Sequence, residues 1–248
     1  AEHRKFASLA RQMDGGADAG PMWRALVRPM NDAGNAEALM RMQATEALTE
    51  ILKPVEALPG GLGQKVHIAE IGRSLSRQAR LAVALNMGNE TNRARVMAGE
   101  NWSAAQVGAI LKTLTATEWR TVQSLWTYLD SYWPAIVAKE MRVTGTAPER
   151  VQPAPFAIRS ADGVEMQLSG GYYPISFDVL RDDVAQSHDQ AAAAKEMLQA
   201  AYTRSTTRRG HTKKRVEKVQ RAMDLSMQPL FKHLTQVTHD LTHHEWLI

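Results

Sequence analysis

The strongest constraint on the fold is a stripe of large apolar side chains that begins just after a helix-start signal. Thr115-Ala116-Thr117-Glu118 has the capping-box form, in which the Thr hydroxyl and the Glu carboxylate each satisfy an orphan backbone N–H. Trp119, Val122, Trp126, Leu129 and Trp133 follow at alternating three- and four-residue steps, so three indoles share one helix face. A helix with such a face must bury it against a core or a neighbouring element. Trp119, Trp126 and Trp133 are therefore read as packing or interface residues rather than a ligand-stacking surface. Pro134 falls inside the pattern and is expected to kink the helix or restart it.

Other start and stop signals extend the helical reading in both directions. Ser76 can cap a helix over Arg77 to Leu85, and Ser103 a second one through Leu114. Gly88 can end one helix and Asn89 cap the next. Upstream, Asp14-Gly15-Gly16 and Asn31-Asp32-Ala33-Gly34 read as breaks. A helix-forming run from Asn35 to Val55 carries Leu39, Met42, Leu48, Ile51 and Leu52, and Pro59-Gly60-Gly61-Leu62-Gly63 ends it. Downstream, helical runs are expected over about 212 to 223 and 226 to 247, with Pro229 tolerated in the first turn of the latter.

The period changes after the proline-containing stretch from Thr146 to Pro155. Phe156-Ala157-Ile158, the turn signal Asp162-Gly163 and Val164 to Leu168 predict a short hairpin. Tyr172 to Phe177 can add a third strand. The expected fold is mainly α, a multi-helix domain with a small antiparallel hairpin or three-stranded sheet inserted around residues 155 to 178. The expected division is an N-terminal helical segment, residues 1 to 60, and a helical domain over residues 61 to 248. With 44% apolar and 23% charged residues the composition is that of a globular chain. The first residues lack an apolar secretory stretch and an initiator Met, and both ends read as cut from a longer chain.

Charge and cysteine usage narrow the chemistry. There are no cysteines, which removes disulfides and thiolate metal sites. No apolar run approaches bilayer length. The net charge of +4 is local in origin: from Lys195 to Arg221 there are nine Lys or Arg against two Glu. Arg204, Arg208, Arg209, Lys213, Lys214, Arg215 and Lys218 combine hydroxyl-rich and helix-forming sequence, a stretch suited to neutralising phosphates without reading bases. The alternative is a solvated surface or one facing an acidic protein, since no stacking aromatics are interleaved.

The last motif concerns metals. His239 and His243 stand one helical turn apart on one face, where two imidazoles can bind one cation. Asp240 and His244 form a second such pair, and His233 lies further back. The sequence lacks the intervening Glu of zinc hydrolases and nominates no third ligand, so the favoured reading is a histidine pair hydrogen-bonded into the fold with the acidic residues solvated. No phosphate loop, nucleophile elbow or dinucleotide fingerprint is present, and no catalytic residue or cofactor is expected.

Several stretches in order carry a resemblance: Ile71-Gly72-Arg73-Ser74-Leu75-Ser76-Arg77, Leu81 through Arg93, Trp126 through Pro134, Arg142-Val143-Thr144-Gly145, Gly170-Gly171-Tyr172-Tyr173-Pro174, Arg209-Gly210-His211-Thr212 and His239-Asp240-Leu241-Thr242-His243. Together they resemble a segment of the very large phage "polyvalent" proteins, a group that includes DarB-like antirestriction proteins and giant internal virion proteins of tailed phages. The match runs from about residue 65 to the end. It implies a protein held in the virion interior and ejected with the genome into the host envelope or cytoplasm, and it carries no catalytic residues across. The expected partners are other ejection proteins, the rest of a longer chain or further copies of this one, with DNA along residues 204 to 221. A DarB-like DNA-protecting module and a metal-dependent enzyme built on His239 and His243 are the alternatives.

Overall fold

A computed structural model describes residues 2–16, 20–178 and 221–243, with side chains from residue 7 onward. Among these the protein is mainly helical, with two small antiparallel two-stranded sheets. They fall into two compact units. The first holds residues up to 44 together with the last helix from Leu234, and the second holds residues 45 to 178 and 221 to 233.

In the first unit, helix α1 (Glu2–Met13) stops at the Asp14-Gly15-Gly16 break. Asp14 then takes a local job: its carboxylate accepts from the backbone N–H groups of Met22 at 2.9 Å and Trp23 at 2.7 Å. A single π-helical turn over Trp23–Val27 runs into α2 (Arg28–Glu56), whose second half belongs to the other unit. The break expected at residues 31 to 34 is absent, and α2 runs straight through it. Arg28 and Asp32 pair across one turn at 3.8 Å, and a lone Gly34 costs a helix only about 1 kcal/mol. Leu39 and Met42 are exposed, whereas Leu48 and Leu52 are buried.

The second unit holds the large core. Strands β1 (Lys65–Ile68) and β2 (Arg73–Ser76) form a hairpin that the sequence pattern did not announce. Ser76 then caps α3 (Arg77–Asn86), and Asn89 caps α4 (Glu90–Glu100). Ser103 opens α5 (Ala104–Leu111) and Thr115 opens α6 (Ala116–Asp130), each through a complete capping box. Pro134 sits in the first turn of a new helix, α7 (Trp133–Thr144), so the chain restarts rather than kinks. Strands β3 (Phe156–Arg159) and β4 (Glu165–Leu168) pair as the expected hairpin. Residues 172 to 177 do not extend it; Phe177 instead forms an isolated bridge with Met223. That extended bridge replaces the helical ending expected at 223. Helix α8 (Gln228–His243) follows, with Pro229 in its first turn, and its C-terminal part returns to the first unit.

The core is organised by α3 and α6. Leu81 to Leu85, Trp119, Val122, Leu125 and Trp126 are essentially inaccessible. Phe156 from the hairpin meets both indoles edge-on, at 5.9 Å from Trp119 and 6.3 Å from Trp126. Asp162 in the hairpin turn accepts from the backbone N–H of Ala116 at 2.8 Å, so the hairpin also caps α6 from outside.

A buried charge network lies behind the same helix start. Glu118 lies 3.0 Å from Arg77 and 3.5 Å from Arg80, with all three side chains at most 7% exposed. Its other oxygen accepts from the Thr115 N–H at 2.7 Å. Gln64 accepts from both guanidinium groups and the Thr113 carbonyl from that of Arg80, whose Nε finds no acceptor among the described residues. Burial lowers the Arg80 pKa, as does the Arg77 charge, and Glu118 opposes both. Among the described residues, no helix is long and apolar enough to cross a membrane.

Candidate functional site

Two places gather side chains that the sequence marked, one in each unit. In the second unit the motif residues meet at the turn between α3 and α4. The Gly88 carbonyl accepts from the backbone N–H groups of Ala154 at 2.9 Å and Gly171 at 2.8 Å. Asn89 donates to the Gly171 carbonyl at 3.2 Å, and Asn92 donates to the Tyr173 carbonyl at 2.9 Å and to Asn86 at 3.0 Å. Trp126 closes the junction with an indole N–H donated to the Leu85 carbonyl at 3.0 Å.

Glycine is required here by space. A Cβ on Gly88 would lie 2.6 Å from the Gly171 oxygen and from the Trp126 ring, and one on Gly171 would lie 2.7 Å from Trp126. Gly88 therefore permits a close approach of two segments rather than terminating α3, which ends at Asn86 without it.

Beside this junction opens a cleft of about 310 Å³ lined by Trp126, Leu129, Trp133, Ile136, Pro153 and Tyr172, among others. Trp119 and Trp126 are buried in the core, while Trp133 is half-buried at the cleft, with the Arg150 guanidinium 5.7 Å from its ring centre. The three indoles thus share a sequence pattern without sharing an environment, because the helix breaks at Ser131 and Tyr132 before the third. Tyr172 packs against His233, ring centres 5.2 Å apart.

The first unit contains the other gathering. His239 and His243 lie on one face of α8, as the spacing predicts, with rings stacked at 4.3 Å. The residue that the sequence could not nominate is Glu37 of α2. One oxygen, Oε2, lies 3.2 Å from Nδ1 of His239 and 2.6 Å from Nε2 of His243. The other oxygen pairs with Arg41 one turn along. All three are sheltered without being sealed: Glu37 and His243 are 14% exposed and His239 24%.

Partial burial pushes the Glu37 carboxyl up. The hydrogen bonds with His239 and His243 and the charges of His239 and Arg41 outweigh it, holding the carboxyl below its ordinary value. The three ligand-type atoms lie within 4.8 Å of one another. Glu37 and Arg41 look from the sequence like one more exposed i,i+4 ion pair, and no local signal links them to a helix about two hundred residues on.

The basic residues Arg204, Arg208, Arg209, Lys213, Lys214, Arg215 and Lys218 lie outside the described residues, as does His244. No protein-family model, curated protein or solved structure matches the chain.

Proposed function

We propose that the chain is a structural and interaction domain of a phage protein that is packaged in the particle and ejected with the genome. One observation supports this reading above the rest. The stretches that carry the resemblance, Leu81 through Arg93, Trp126 and Gly170 through Pro174, are committed to one buried junction. Asn86, Asn89 and Asn92 spend their side-chain amides on one another and on backbone groups, and Trp126 spends its N–H on a helix carbonyl. Polar groups used in this way hold a fold and are not available to a substrate.

The locally concentrated positive charge between residues 195 and 221 suits contact with packaged DNA. Mass spectrometry of purified particles from the virus encoding this chain is the direct test. Peptides spanning residues 65 to 178 should be recovered from particles at a constant ratio to the capsid protein. Peptides found in infected-cell lysate but not in particles would sink the reading.

A further inference from the structure

We propose that Glu37, His239 and His243 form a binding site for one divalent transition-metal cation, with Glu37 Oε2, His239 Nδ1 and His243 Nε2 as ligands. This does not depend on the virion reading. Two histidines and one carboxylate are the donor set that borderline divalent cations such as zinc, cobalt and iron take from proteins. The backbone supplies the geometry: α8 puts the two imidazoles one turn apart on one face, and α2 brings the carboxylate to that face.

The distances suit a shared ion. Zinc–ligand bonds of 2.0–2.1 Å in a tetrahedron separate neighbouring ligand atoms by about 3.3 Å. His239 Nδ1 already stands 3.2 Å from the carboxylate oxygen. His243 Nε2, at 2.6 Å, must withdraw by less than about 1 Å as the proton it shares with Glu37 gives way to metal. Arg41 fits this arrangement despite its charge, because it holds the opposite oxygen, Oε1, and turns Oε2 toward the histidines. A carboxylate oriented by a neighbour in this way is how metal ligands are commonly fixed. Three protein ligands leave coordination positions for water, and the partial exposure of all three gives solvent a route to them.

The test uses the whole chain, stripped with a chelator and dialysed. Zinc and cobalt are titrated in by calorimetry, and metal retained after gel filtration is measured by elemental mass spectrometry. The wild type should retain one equivalent. Glu37→Gln and His243→Ala should weaken binding at least about 10-fold with unchanged circular dichroism, whereas His67→Ala, on the exposed face of β1, should not. If a variant fails to fold, histidine modification of the wild type by diethyl pyrocarbonate, mapped by mass spectrometry, decides the matter alone. Zinc should protect His239 and His243 and leave His67 reactive. Absence of binding, binding undiminished in folded Glu37→Gln and His243→Ala, or no selective protection would each overturn the proposal.

Discussion

The indole N–H of Trp126 donates to the Leu85 carbonyl across 3.0 Å, joining α6 to α3, while the equally buried indole of Trp119 finds no acceptor among the described residues. The two rings are matched in burial and both meet Phe156, so they separate packing from hydrogen bonding. Trp→Phe at either position removes similar apolar area. At 126 it also removes the hydrogen bond to the Leu85 carbonyl, which keeps only its backbone donors. Trp126→Phe should therefore destabilise by about 1 kcal/mol more than Trp119→Phe in urea unfolding. Equal losses would mean that the hydrogen bond contributes nothing net.

Among the described residues, Glu118 is the carboxylate that faces both Arg77 and Arg80, and it also completes the Thr115 cap. Glu118→Gln would keep its volume and remove the countercharge from two buried guanidinium groups. Stability should fall by about 3–5 kcal/mol, read as a shift of the denaturation midpoint. A loss below about 1 kcal/mol would show that water reaches this network.

Two glycines make opposite predictions for the same substitution. Gly88→Ala forces a methyl group against the Gly171 backbone and the Trp126 ring and should cost about 1–3 kcal/mol. Gly108 lies in the interior of α5 with nothing within 4 Å of a built Cβ. Gly108→Ala should stabilise by about 0.5–1 kcal/mol through helix propensity. A melting temperature that does not fall for Gly88→Ala would contradict the close-approach argument for Gly88, and one that falls for Gly108→Ala would contradict the open space around Gly108.

Acid should loosen the hairpin's hold on α6. Hydrogen bonds from Ser160 and from the Ala116 backbone hold the Asp162 carboxyl below its ordinary value. A depressed folded-state pKa means that the contribution is complete above the unfolded value of 3.8 and disappears as pH falls through the folded one. Asp162→Asn, measured at neutral pH and again near the bottom of that window, should differ from wild type more at neutral pH. A pH-independent difference would rule out the charged cap.

The basic stretch over residues 204 to 221 makes a prediction through its salt dependence. Fluorescence anisotropy with labelled duplex DNA should show binding that weakens about 100-fold between 50 and 200 mM salt if four phosphates are contacted. Changing Arg208, Arg209, Lys213, Lys214 and Lys218 to Glu should abolish it. Binding indifferent to salt or to these substitutions would remove this stretch as the DNA contact, and no binding at low salt would remove DNA as the partner.

The helix starts were legible because capping is local chemistry. Ser76, Asn89, Ser103 and Thr115 each accept from an N–H three residues on, and a reader of the sequence needs only that spacing. The β3–β4 hairpin was legible for a similar reason, since Asp162-Gly163 sets a turn between two short apolar runs. The β1–β2 hairpin was not. Its strands are four residues each, largely exposed, and joined by a 3-10 turn over Ala69–Ile71 that no turn dipeptide announces.

The sequence by itself determined the helical class, the caps, an interruption at Pro134 and the turn-spaced pair His239 and His243. All of these follow from interactions within a few residues. Only the tertiary structure decided that Glu118, already legible as a cap, is also the countercharge for Arg77 and Arg80. It alone turned Gly88 from a helix stop into a contact point for Gly171, and brought Glu37 to the two histidines. Those relationships join residues roughly forty to two hundred positions apart, and no periodicity encodes such a distance. They arise when the buried faces of helices select one packing, which fixes the neighbours of every polar group on their margins.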